Sequence, residues 1–127
     1  LVTFLEGTRF RPSKLEKAQA FARERGQPVP EHTLVPRTKG FLATVEGLHT
    51  HLDAVYDVTL GYERQPVPSL FDCFAMRVNR IDIHVRRTPI GVLPVGNAME
   101  LTDWVRQLYR EKDALLAKRA QTGSFTA

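Results

Sequence analysis

Several things are scarce or missing in these 127 residues, and each absence excludes a class of protein. A single cysteine, Cys73, rules out an internal disulfide framework and any cysteine-rich zinc site. No stretch reaches the ~18 consecutive apolar residues of a bilayer-spanning helix. There is no P-loop and no G-x-G-x-x-G turn, so neither of the common glycine-rich phosphate cradles is present. There is also no internal repeat, low-complexity tract or domain linker. Apolar residues make up 43% and charged residues 25%, the composition of an ordinary globular chain, so disorder is not expected. The chain opens at Leu1 in what reads as mid-strand, as the C-terminal part of something longer would. One domain portion over residues 1–120 and a frayed tail over 121–127 are expected.

The charge balance is +4, from 18 basic and 14 acidic side chains. Residues 1–40 hold eight Lys/Arg against four Asp/Glu, 41–80 three against five, and 81–127 seven against five, so the excess lies chiefly in the first third. A basic segment suits an anionic partner, whether a phosphorylated small molecule, an acidic lipid surface or nucleic acid; otherwise it is a solvated surface.

Leu1–Leu5 is rich in strand formers and runs into the polar turn Glu6-Gly7-Thr8-Arg9, predicting a buried strand that ends at a ligand-contacting turn. Pro12 and Ser13 open a basic amphipathic helix. Ser13 and Glu16 have capping-box spacing, Leu15, Ala18, Phe21 and Ala22 form its apolar stripe, and Gly26 stops it. Residues 33–36 read as a brief extended segment. Thr38 is the predicted cap of a helix carrying Phe41, Leu42, Val45, Leu48 and Leu52. Ala54–Tyr62 is a predicted strand with Ala54, Tyr56, Val58, Leu60 and Tyr62 on one face and Asp57 and Thr59 on the other. Residues 65–69 form a proline-containing loop and 70–76 a short helix. Arg80–Arg87 alternates so that Ile81, Ile83 and Val85 are predicted to face in, and Asp82, His84 and Arg86 out. Asn97 and Glu100 start the last helix, whose buried side carries Leu101, Trp104, Val105, Leu108, Leu115 and Leu116. The expected fold class is α/β, a mixed sheet flanked by helices.

The sharpest motif is Glu6-Gly7-Thr8-Arg9. Gly7 lets backbone approach a ligand, Thr8 offers a hydroxyl, and Arg9 offers a planar fork for phosphate, with Glu6 able to hold Arg9 or accept a ligand hydroxyl. The bland alternative is a strand-end turn with a surface ion pair. A chance match to this tetrapeptide in so short a chain is on the order of one in a thousand.

Phe4-Leu5-Glu6-Gly7-Thr8-Arg9 resembles the Phe-Pro-Glu-Gly-Thr-Arg block of the glycerolipid acyltransferases, most closely the 1-acyl-glycerol-3-phosphate (lysophosphatidic acid) acyltransferases. Leu5 stands where the block usually has Pro. About thirty residues on, Leu34-Val35-Pro36-Arg37-Thr38-Lys39-Gly40-Phe41 resembles the later proline block, in the Pro-Arg/Lys-x-x-Gly form of one branch. Residues 56–60 and 104–116 also look like that branch. The resemblance implies a glycerolipid acyltransferase-like fold, incomplete at the N-terminus. It implies an acceptor site of Glu6, Gly7, Thr8 and Arg9 for the acceptor's phosphate. Val35 and Pro36 would shape the acyl or acceptor pocket, and Lys39 would make a second phosphate contact. No cofactor is implied, only acyl-CoA or acyl-carrier protein as co-substrate.

The family's catalytic motif is His-x-x-x-x-Asp, upstream of the acceptor block, with the His as general base and the Asp orienting it. Five positions after His32, His49, His51 and His84 stand Arg37, Ala54, Tyr56 and Pro89, so the motif is not in this chain and no catalytic residue is assigned within it. Cys73 is expected in the core and His84 on the surface. His49 and His51 would diverge on a helix, so no metal site is expected. The resemblance further implies a full protein acting at a membrane surface with its site on the cytoplasmic side, on a lysophospholipid and an acyl donor; no nucleic acid and no obligate protein partner are expected. The rival reading is a non-catalytic basic module, residues 9–25, docking on acidic lipid or nucleic acid. No nucleic-acid fold motif accompanies that helix.

Overall fold

The computed structural model describes residues 1–63, 68–78 and 80–126. Leu1–Leu5 is not the strand its composition suggests: residues 1–4 form no regular element, Leu5 opens a turn, and Leu1, Val2 and Phe4 are exposed. Strand formers become a strand only against a ladder partner, and among the described residues the segment's backbone hydrogen bond to the rest of the chain runs from the Arg37 N–H to the Leu5 carbonyl, at 2.7 Å.

Helix α1 (Pro12–Glu24) begins with Pro12 in its first turn and Arg11 as cap, without a side-chain cap bond. The Ser13–Glu16 capping box therefore does not form: Ser13 already lies inside the helix, because proline is pre-set for the first helical position. The stop at Gly26 holds. Gln27 N–H bonds to the Ala22 carbonyl and Gly26 N–H to that of Arg23, the two bonds of a Schellman ending. Helix α2 (Thr38–Leu48) begins one residue earlier than predicted, with Arg37 rather than Thr38 as cap, and runs into a 3-10 turn at His49–His51.

The core is built between α2 and the long helix α4 (Ala98–Thr122), which Asn97 caps by accepting the Glu100 N–H. Phe41 and Val45 of α2 pack with Leu93, Leu101 and Val105, and Phe41 stacks on Trp104 with ring centroids 5.9 Å apart. Gly123 closes α4, and Phe125 then lies edge-on to His84. Of the tail expected to fray, Gln121 and Thr122 are the last residues of α4 and Phe125 makes this aromatic contact.

Strands β1 (Ala54–Tyr62) and β2 (Ile81–Pro89) form an antiparallel pair, with Val58 opposite Val85 and Leu60 opposite Ile83. This is the sheet of the described residues, two strands rather than the larger mixed sheet expected. Between them lies the short helix α3 (Leu70–Phe74), capped by Ser69 and Asp72, where Cys73 is exposed rather than in the core.

The ribbon packs the opposite way from expectation. Tyr56, Val58, Leu60, Ile81, Ile83 and Val85 point to solvent, and Asp57, Thr59, Asp82, His84 and Arg86 turn inward. The reason lies on α4, whose sheet-facing residues are charged. Lys112 meets Asp57 at 2.6 Å and Arg119 meets Asp82 at 2.7 Å, while Arg86 reaches Glu111. Gly61 makes the second of these contacts possible, since a side chain there would collide with the Arg119 Nε. Arg119 also donates to the Tyr62 carbonyl, and Lys112 to that of Val58. His84, expected at the surface, is therefore half-buried on the packed side.

Candidate functional site

The Gly7 turn is closed by its own N–H bonding to the Phe4 carbonyl at 3.1 Å. Gly7 has φ +65°, a conformation that costs other residues roughly 1–2 kcal/mol. A Cβ here would stand 3.0 Å from the Arg37 Cδ, so the Arg37 stem lies directly over the turn. The acceptor block and the proline block, thirty residues apart in sequence, are thus in contact through a glycine that no larger residue replaces without displacing that arginine.

Between them opens a cleft of about 680 Å³, walled by Phe4 and Gly7 on one side and by Pro36, Arg37, Lys39 and Phe41 on the other. The first turn of α2 (Thr38, Lys39, Gly40) borders it. That turn has neither a side-chain cap nor an acidic residue, so its free N–H groups and the positive end of the helix dipole carry no built-in counter-charge. With Lys39 and Arg37 exposed beside it, the cleft is arranged for an anion.

The seven residues singled out in the sequence do not all share this cleft. Gly7, Pro36 and Lys39 line it. Thr8 and Arg9 follow Gly7 on the exposed side and are not in its wall. Val35 is half-buried behind Pro36. Glu6 does not hold Arg9: its carboxylate accepts the Leu34 N–H at 3.1 Å and so ties the acceptor block to the proline block from behind. Burial is the main cause raising the Glu6 pKa above its ordinary 4.5; the Leu34 N–H and the Lys112 charge pull the other way, and Asp113 adds to the rise. Burial likewise holds the Tyr109 hydroxyl well above its usual range, helped by the negative charges of Glu6 and Asp57.

Two residues escaped the sequence reading. Arg37 stood inside the proline block, and its basic side chain beside a helix start was the available signal. Asp113, on α4, accepts the N–H groups of Glu31, His32 and Thr33 and the Thr33 hydroxyl, across a separation of eighty residues or more. An acidic residue on the polar side of a helix gives no sequence signal of such a bond. Among the described residues, no three His, Cys, Asp or Glu side chains come together as metal ligands would, and no helix is long and apolar enough to cross a membrane.

Residues 72–127 match the family described as acyltransferase C-terminus. The class to which the chain is similar is therefore the acyltransferases, and the particular relatives are 1-acyl-sn-glycerol-3-phosphate acyltransferases. The "delta" enzyme of Homo sapiens is 39% identical over 120 residues, which are 94% of this chain and 32% of that protein. Number 3 of Arabidopsis thaliana is 39% identical over 119 residues, 93% of this chain and 31% of its own. The probable number 5 of the same plant is 34% identical over 125 residues, 98% and 33%. The chain spans about a third of the length of the curated relatives it matches. These similarities bear out the resemblance to 1-acyl-glycerol-3-phosphate acyltransferases. No solved structure matches the chain.

Proposed function

We propose that these residues are the acceptor-binding part of an acyltransferase. It would transfer a fatty acyl group from acyl-CoA, or acyl-carrier protein, to lysophosphatidic acid, giving phosphatidic acid. The observation that supports this most is the cleft between the two blocks, where Arg37, Lys39 and the first turn of α2 offer positive charge to one volume. A phosphomonoester carries the charge and the oxygen acceptors that such a site suits. Arg9, on the exposed side of the turn, adds a fork for a headgroup approaching from that side. Pro36 and Phe41 give the apolar wall that a glycerolipid's carbon skeleton requires.

In this reading the acceptor hydroxyl gives its proton to a His base outside these residues and attacks the thioester carbonyl. A C–O bond forms, the C–S bond breaks, and the thiolate leaves and is protonated. The residues present here bind and orient the acceptor, and proximity of that kind is a large share of a two-substrate reaction's acceleration. With both acceptor and product lipids, the full protein works at a membrane surface, with the site on the cytoplasmic side. The test is steady-state kinetics of the full-length enzyme with Lys39→Ala and Arg37→Ala. Each should weaken use of lysophosphatidic acid by about ten- to a hundred-fold and leave the acyl donor's KM unchanged. Unchanged acceptor constants in both variants would overturn the phosphate assignment.

A further inference from the structure

Four successive backbone N–H groups, from Glu31 to the first residue of the proline block, Leu34, point at carboxylates. Those of Glu31, His32 and Thr33 go to Asp113 at 3.1, 2.8 and 2.8 Å, and the Thr33 hydroxyl adds a bond at 3.0 Å. The next, from Leu34, goes to Glu6 at 3.1 Å. Thr33 and Leu34 are 3% and 5% exposed, so water does not satisfy their N–H groups, and the stretch has neither helix nor strand partners of its own. Three residues later the Arg37 N–H bonds to the Leu5 carbonyl. The segment that leads into the cleft wall is therefore pinned at its start by α4 and at its end by the acceptor block.

We propose that Asp113 is a positioning residue for the acceptor cleft: its carboxylate gathers the loop over residues 31–33 and so fixes where Pro36 and Arg37 stand against the Gly7 turn. An ionised carboxylate accepting several N–H bonds at once is a strong and directional anchor. Asp113 also lies within residues 72–127, the part matching the acyltransferase C-terminus, whereas the cleft's two walls come from the first 44 residues. The C-terminal segment thereby acquires a part in acceptor use without touching the acceptor. This inference rests on the acceptor reading of the cleft.

The test compares Asp113→Ala and Asp113→Asn in the full-length enzyme. Lysophosphatidic acid and an acyl-CoA are varied separately, and backbone hydrogen exchange is followed across residues 31–37. Asp113→Ala should lower kcat/KM for the acceptor by about ten- to a hundred-fold, hold the donor KM within about two-fold, and strip protection from 31–33. Asn keeps one carbonyl oxygen in place and should recover most of both. Asp103→Asn on the same helix, exposed and paired with Arg106, serves as the control and should change neither. Should Asp113→Ala not fold, Asp113→Asn and Thr33→Val carry the comparison, each expected to show a smaller loss confined to the acceptor. Acceptor and donor constants that fall together with the folded fraction overturn the proposal. So does lost protection at 31–33 with unchanged kinetics. A wild type that ignores lysophosphatidic acid overturns the acceptor reading itself, and that failure is visible before any variant is made.

Discussion

The Arg37 side chain lies across Gly7, its Cδ 3.0 Å from where a side chain on that glycine would start. Gly7→Ala therefore meets two obstacles, a left-handed backbone and an occupied space. The expected result is a loss of roughly 1–2 kcal/mol of stability in urea unfolding, with a fall in acceptor use in the full-length enzyme. If Gly7→Ala unfolds at the wild-type midpoint and uses the acceptor normally, the contact between the two blocks is not needed.

Arg37 lines the cleft and Arg9 does not. Arg37→Ala should accordingly harm lysophosphatidic acid use more than Arg9→Ala, and Arg9→Lys should recover only part of the Arg9→Ala loss, a point charge being no substitute for the fork. Kinetics of the three variants with the acceptor varied check the order; a larger loss at Arg9 would place the phosphate on the exposed side of the turn.

Glu6 gives a pH signature. Its pKa is raised, chiefly by burial, so between its ordinary 4.5 and the raised value the folded chain holds more protons than the unfolded one. Stability from this group is therefore present below pH 4.5 and is lost as pH rises through the folded pKa. Asp82 and Glu111 work in the opposite sense. Hydrogen bonds from Arg119 and from Arg86, respectively, are the chief causes lowering their pKa values, so their contribution is present at neutral pH and is lost as pH falls through the folded values. Glu6→Gln keeps an oxygen for the Leu34 N–H and should remove the decline above pH 4.5 alone. Urea midpoints measured from pH 3 to 7 for wild type and variant check this; identical profiles would mean that Glu6 titrates as an exposed carboxylate.

Asp57 and Lys112 are 12% and 13% exposed, so each loses most of its hydration and regains it from the other. Removing either alone should cost less than the roughly 3–5 kcal/mol of a fully dry pair, because some solvent reaches both. In Asp57→Ala with Lys112→Met together the loss should be smaller than the sum of the singles. Additive losses in a thermal-unfolding cycle would mean that the contact contributes nothing to holding the ribbon on α4.

The isolated chain should transfer no acyl group, since no His-x-x-x-x-Asp stands within it. Turnover of lysophosphatidic acid by purified residues 1–127 would force a search for a base among its four histidines.

Much of the local structure was readable before the fold. The bounds of β1, the Asn97 cap of α4 and the stop at Gly26 follow from alternation, capping chemistry and glycine, all of which act within a few residues. What was not readable was direction. Alternation in β1 and β2 sorts their residues correctly into two sets, but which set turns inward depends on what α4 presents, and Lys112 and Arg119 select the charged one. The site divides in the same way. Gly7, Pro36 and Lys39 were legible as motif positions, whereas Glu6 as a tie to Leu34 and Asp113 as an anchor depend on contacts across 28 and about 80 residues.

Those long separations also order the events of synthesis. A ribosome delivers residues 6–9 before residue 113, at roughly 5–20 residues per second. Until α4 has emerged, the N–H groups of 31–33 have no Asp113 to meet, and Asp57 and Asp82 wait for Lys112 and Arg119. Closing loops of this length is the slow part of folding a small domain. The nascent cleft is therefore unfinished for seconds after both its walls have been made, and a chain released before Asp113 carries both motif blocks without the bonds that seat the loop between them.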